Sequence, residues 1–177
     1  MMKFGTFALL AASAVILAGC SSSKNESLCP GAAALVEASN LTGFSVATTD
    51  APSEPLYRVA VSNVTTDCSI DAHERTADSS LEIHFVATRA AGAAGAEYRV
   101  PYFVALRQGP TIIAKKVFWA TFDFAAGETG VAFSENVAST VVKIANDKQP
   151  YDYQILTGLQ LTPEQLEYNR KNGHYGP

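Results

Sequence analysis

From Phe44 onward, apolar residues recur every second position, and this period limits the chain to strands. Tyr57, Val59 and Val61 alternate with Arg58, Ala60 and Ser62. Leu81, Ile83 and Phe85 alternate with Glu82, His84 and Val86. Val100, Tyr102, Val104 and Leu106 form another such segment, and Phe118, Ala120, Phe122 and Phe124 the next. A run from Val131 to Ile144 follows, then Tyr151, Tyr153, Ile155 and Leu159. Turn-forming clusters separate them: 50–55, 91–95, 108–110, 126–130 and 146–150. Six or seven short strands with one apolar face each predict two packed sheets, an antiparallel β-sandwich. A closed barrel of lipocalin type is the alternative and needs about eight strands.

Both ends of this region read as helical. Pro30 to Asn40 is Ala-rich with Pro in its first turn, which predicts a short N-terminal helix. At the other end Thr162 is a candidate N-cap, Pro163 the first helical residue and Gln165 the partner in a capping box. Arg170 and Lys171 suit the last turn, and Asn172-Gly173 ends it. This C-terminal helix either closes an open end of the sandwich or docks a partner.

The strand pattern resembles immunoglobulin-like and fibronectin-like sandwiches in architecture alone. Antibody-type domains bridge their two sheets through cysteines, with a Trp packed on the bridge. Here Cys29 precedes the first strand, Cys68 follows a strand, and the single Trp119 comes late.

The N-terminus carries an address. Lys3 is followed by an apolar stretch from Phe4 to Leu17, shorter than the roughly 20 residues a membrane helix needs. Leu17-Ala18-Gly19-Cys20 and Ser21-Ser22-Ser23 come next. This arrangement resembles a bacterial lipoprotein signal with its lipobox; the alternative is an ordinary export signal that leaves Cys20 a spare thiol. The resemblance implies cleavage before Cys20, diacylation of its sulfur, and attachment to a membrane. Ser after the cysteine implies an outer-membrane site facing the periplasm. The Cys29-Pro30 start and the Gly158 to Leu166 ending also resemble small proteobacterial lipoproteins, which implies no particular activity.

The expected organisation is a signal peptide at 1–19, a lipidated polar tether at 20–28, a β-sandwich domain at 29–170 and a tail at 171–177. Removing the signal takes away Lys3 alone among charged residues. Twelve basic groups then face seventeen acidic ones, a net charge of −5. With no Lys/Arg cluster to neutralise phosphates, no nucleic-acid partner is expected. In an oxidising compartment Cys29 and Cys68 are an even pair, and a disulfide is expected; two buried thiols are the alternative. No metal or other cofactor is expected, because no His lies at ligand spacing from either cysteine.

No nucleophile elbow, zinc-protease helix, phosphate loop or dinucleotide fingerprint occurs, so no catalytic residue is expected. His73 lies in the polar loop 71–78, where Asp71 and Glu74 could join it around a cation, or all three could simply be solvated. His84 sits beside an apolar strand face, and His174 in the tail. Glu97 and Asp123 could meet as a carboxylate pair. The aromatics are the richer signal. If 97–107 and 112–124 form a hairpin, Phe103 and Trp119 lie on the face opposite Phe118 and Phe122. Either terminal helices cover them, or they form a binding face. The expected function is a non-catalytic envelope lipoprotein engaging another protein; a lipid- or glycan-binding module is the alternative.

Overall fold

The computed structural model describes residues 29–45 and 54–173. Among these residues 31–34 form β1 (Gly31–Ala34), 40–44 form β2 (Asn40–Phe44), and two long strands follow, β3 (Pro55–Asp71) and β4 (Thr76–Thr88). Then come β5 (Ala96–Gln108), β6 (Thr111–Phe124), β7 (Gly130–Lys143) and β8 (Tyr153–Leu159), and the chain closes on α1 (Pro163–Asn172). One sheet has the order β1-β8-β5-β6, the other β2-β3-β4-β7.

The period-two residues explain the core. Val59, Val61, Leu81, Ile83 and Phe85 from one sheet meet Val100, Tyr102, Phe122 and Ile155 from the other in a single buried cluster. Rings cross between layers: Phe85 lies edge-on to Tyr102 at 5.7 Å, and Phe122 stacks on Phe133 at 4.8 Å. The molecule is therefore mainly β, with two face-packed sheets.

Three expectations are corrected. Residues 30–40 are not a helix. They form β1, a single 3-10 turn at Val36–Ala38 and the start of β2. The helical preference of alanine is a fraction of a kcal/mol per residue. Pairing of Ala32, Ala33 and Ala34 with Ile155, Leu156 and Thr157 of β8 overrides it. That pairing is parallel, so the first sheet is mixed rather than purely antiparallel. Cys68 lies inside β3 rather than beyond a strand end. It is bonded to Cys29, with Cα atoms 6.1 Å apart, and this disulfide ties the entry to β1 in one sheet to β3 in the other.

The connections also depart from the immunoglobulin order, in which the second and third strands lie in different sheets. Here β3 and β4 are a hairpin within one sheet, β5 and β6 a hairpin within the other, and β7 and β8 cross back to pair with β4 and β5.

The C-terminal helix has its capping box. Thr162 Oγ1 accepts from Gln165 N–H at 3.3 Å, and Thr162 N–H donates to Gln165 Oε1 at 2.9 Å. Gly173 closes the helix in the left-handed region, with φ 66°, which glycine adopts without strain. The helix runs to Asn172 with Arg170 and Lys171 in its last turn, the end that Asn172-Gly173 led one to expect. It packs beside β2: Tyr168 meets Phe44 edge-on at 5.0 Å, and buried Asn169 donates from Nδ2 to Asn40 O at 2.7 Å. Asn40 Oδ1 in turn accepts from Arg58 Nε at 2.9 Å and Nη2 at 2.6 Å.

Candidate functional site

The β5–β6 hairpin forms as expected, with Tyr102 opposite Phe118 and Phe103 opposite Val117. Strand alternation sends Tyr102, Phe118, Phe122 and Phe124 toward the other sheet, and Phe103, Val117 and Trp119 outward. The two aromatics singled out in the sequence meet different fates. Phe103 is 6 % exposed and does not belong to an open face. The 3-10 turn lies across it, so that Ala38, Ala105 and Leu156 join Phe103 in a second small cluster outside the main core. Gly158 makes this possible: a Cβ there would stand 2.9 Å from Ala38 Cβ and 3.2 Å from Phe103 Cε1. The cover comes from the segment expected to be the N-terminal helix, not from α1.

Trp119 is 52 % exposed, on the last strand of its sheet. The Arg99 guanidinium lies 4.7 Å from its ring centroid. Val117, 44 % exposed, is its neighbour on the same face. Lys115 comes next, with its ammonium 4.3 Å from the Phe103 ring centroid. Such cation–ring contacts contribute about 0.5–1 kcal/mol at exposed sites and hold the rings' cationic neighbours in place. The outward positions of β6 thus read Lys115, Val117, Trp119, Thr121, Asp123: a cation, three large or branched side chains, and an anion. Arg99, Lys115 and Val117 were not singled out from the sequence. Their odd-numbered spacing with Trp119 was the available signal.

Glu97 and Asp123 do come together, directly opposite each other in the β5–β6 register. Both are exposed. No ion pair within 4.0 Å reaches either among the described residues. Like charges facing across a strand pair repel, so this end of the hairpin is acidic while Lys115 and Arg107 make the other end basic.

Between β5–β6 and β7 lies an open cleft of about 430 Å³, floored by Val104, Leu106, Phe118 and Val137, with Lys116 and Asn136 at its rim. Deeper in the core, Tyr102 Oη donates to Glu135 Oε2 at 3.4 Å. Burial, and then the Glu135 charge and hydrogen bond, push the Tyr102 phenol up to about 12.

The remaining candidates are dispersed. His84 Nε2 is 3.8 Å from Glu82 Oε2 on a half-exposed strand face. His73 sits in a turn that Asp71 Oδ1 organises by accepting from the backbone N–H of His73 and of Glu74, both at 2.9 Å. The Asp71 carboxylate is thus engaged with backbone. No group of three or more His, Cys, Asp or Glu side chains converges on a metal-sized site among the described residues. Cys20 and His174 lie outside the described residues.

What the fold and this face define is a mainly β, two-sheet protein with an exposed aromatic and cationic edge. No protein-family profile, curated protein or solved structure matches the chain.

Proposed function

We propose that this chain is a lipid-anchored, non-catalytic envelope lipoprotein that serves as a protein-interaction or structural accessory module on the periplasmic face of the outer membrane. The anchor reading rests on Leu17-Ala18-Gly19-Cys20 and the serines after it. In that reading diacylation of Cys20 supplies two chains, enough for durable attachment where one holds only marginally. The two face-packed sheets support reading the body as a β-sandwich comparable in architecture to immunoglobulin-like and fibronectin-like domains, with a strand order of its own.

The observation that carries the interaction role is the open β6 edge: Trp119 half exposed beneath Arg99, beside exposed Val117. Large apolar side chains on an unpaired sheet edge are a liability in a solitary protein and an asset in a docking one. The direct test is photo-crosslinking in the native host from position 119, with Ser134 on β7 as control. Adducts with a reproducible envelope protein or with the chain itself, from 119 and not from 134, are expected. An absence of adducts at 119 overturns the role. The anchor is tested separately by Cys20→Ser: labelled palmitate incorporation and membrane fractionation should both be lost, and retention of both refutes it.

The cleft beside Lys116 favours a second reading, a carrier of a small amphiphile or glycan. Its apolar floor suits an acyl chain, and its ammonium suits an anionic head group. Native mass spectrometry of protein from its own host should then show a bound species, and an always-empty protein removes this reading.

A further inference from the structure

We infer that the β6 edge is a self-association surface: two copies of the chain pair β6 against β6, antiparallel, about a two-fold axis through Trp119. This deepens the proposed interaction role by naming the partner, and it rests on that role.

The argument comes from the order of side chains along one edge. Among the described residues β6 ends its sheet and has no strand beyond it. An antiparallel two-fold pairing sets residue i against the residue equally far on the other side of the axis. With the axis at Trp119, Lys115 faces Asp123 of the second copy, and Asp123 faces its Lys115. Val117 faces Thr121, two branched side chains suited to strand pairs. The two Trp119 rings meet at the centre, each already carrying an Arg99 guanidinium on one face. On the inner side, Phe118 meets Ala120 and Ala114 meets Phe124, large against small, while Lys116 meets Phe122. The paired stretch, from Ala114 to Phe124, lies wholly within the strand.

Neighbouring registers lose this match. An axis at Phe118 sets Asp123 against Ile113, and an axis at Ala120 sets it against Val117, so Lys115 loses its carboxylate in both. The single chain also leaves the charges in a state that pairing improves. Glu97 and Asp123 repel across β5 and β6 with no cation in ion-pair reach among the described residues. Lys115 already extends on the outer face, over Phe103. A second copy inverts the hairpin's charge gradient and brings each basic end to an acidic one. Opposite charges placed directly across a strand pair attract, and like charges repel. The arrangement is isologous and closes on itself, so it stops at two copies rather than growing a fibre.

The test uses the full chain, purified in detergent. Trp119→Cys should give an intermolecular disulfide dimer under mild oxidation. Val117→Cys and Thr121→Cys should each cross-link weakly alone and efficiently when the two variants are mixed. Ser134→Cys should not cross-link. Lys115→Asp or Asp123→Lys should weaken self-association by about tenfold or more in sedimentation. The double exchange, with both substitutions in one chain, should restore it to near the parent value, which separates a lost ion pair from a damaged fold. Cross-linking without register preference, or charge reversals that leave association unchanged, overturns the self-pairing. If those results coincide with photo-adducts from position 119 to an unlike envelope protein, the interaction role stands and only its partner is wrong. If position 119 yields no adduct of either kind, both fall.

Discussion

Asn169 is the buried tie among the contacts that hold the C-terminal helix to β2, beside Tyr168 on Phe44 and Gln165 Nε2 donating to Thr42 O, and its replacement by alanine gives a worked case. The side chain is 0 % exposed, and its Nδ2 donates to Asn40 O at 2.7 Å. Asn40 in turn holds Arg58 through its own Oδ1. Taking one partner from a buried hydrogen bond costs about 1–3 kcal/mol, because the other loses its donor without regaining water. A small cavity adds to this. Asn169 Oδ1, however, is buried with no partner among the described residues, so its removal relieves a polar burial cost of its own. These terms leave a net loss of about 2 kcal/mol. For a chain of this size 1 kcal/mol shifts the melting temperature by about 2–4 °C, so Asn169→Ala should melt about 4–8 °C lower. The measurement is circular dichroism in the strand region on heating, checked by the urea midpoint at constant slope. Asn172→Ala is the control. Its side chain bonds Tyr168 O at 2.8 Å on an exposed surface, and it should change stability by less than about 0.5 kcal/mol. If Asn169→Ala melts within about 1 °C of the parent, or Asn172→Ala falls as far, the buried tie is not what fixes the helix.

Gly158→Val should destabilise by about 1–3 kcal/mol through overpacking, and should raise the reactivity of the 3-10 turn to limited proteolysis as that turn is pushed off Phe103. Replacing both Cys29 and Cys68 by serine opens a closure of 39 residues and should lower the urea-derived stability by about 2–4 kcal/mol; no change would mean the two sheets hold this edge unaided. Tyr102 gives a pH signature. Its phenol is held protonated in the folded state up to about 12, against 10.0 for an unperturbed phenol. Its contribution is therefore complete below pH 10 and lost as pH rises toward 12. Tyr102→Phe should show a shallower rise in unfolding rate across that window, and parallel profiles would refute the assignment.

Much of the fold was legible because strand alternation is written locally. Phe118, Ala120, Phe122 and Phe124 repeat at the period of the pleat, and all four turn inward. The capping box at Thr162 and Gln165 was equally local, since both partners lie within one helical turn. Ala32 to Ala34 misled for the converse reason. Alanine's preference is weak, and the deciding hydrogen bonds come from β8, more than a hundred residues away in the chain. Of the candidate site, the hairpin and the outward direction of Phe103 and Trp119 followed from alternation. That one is covered and the other open did not, because the cover depends on where the 3-10 turn lands.

Taken alone, the chain's order of residues determined the strands from β3 onward, their inward faces and the terminal helix cap. These are properties of near neighbours, set by backbone geometry and side-chain period. Tertiary structure decided which strands share a sheet, that β1 runs parallel to β8, and that β6 is left as an edge with its charges in line. Those outcomes depend on which distant segments exclude water together, a quantity no local pattern contains.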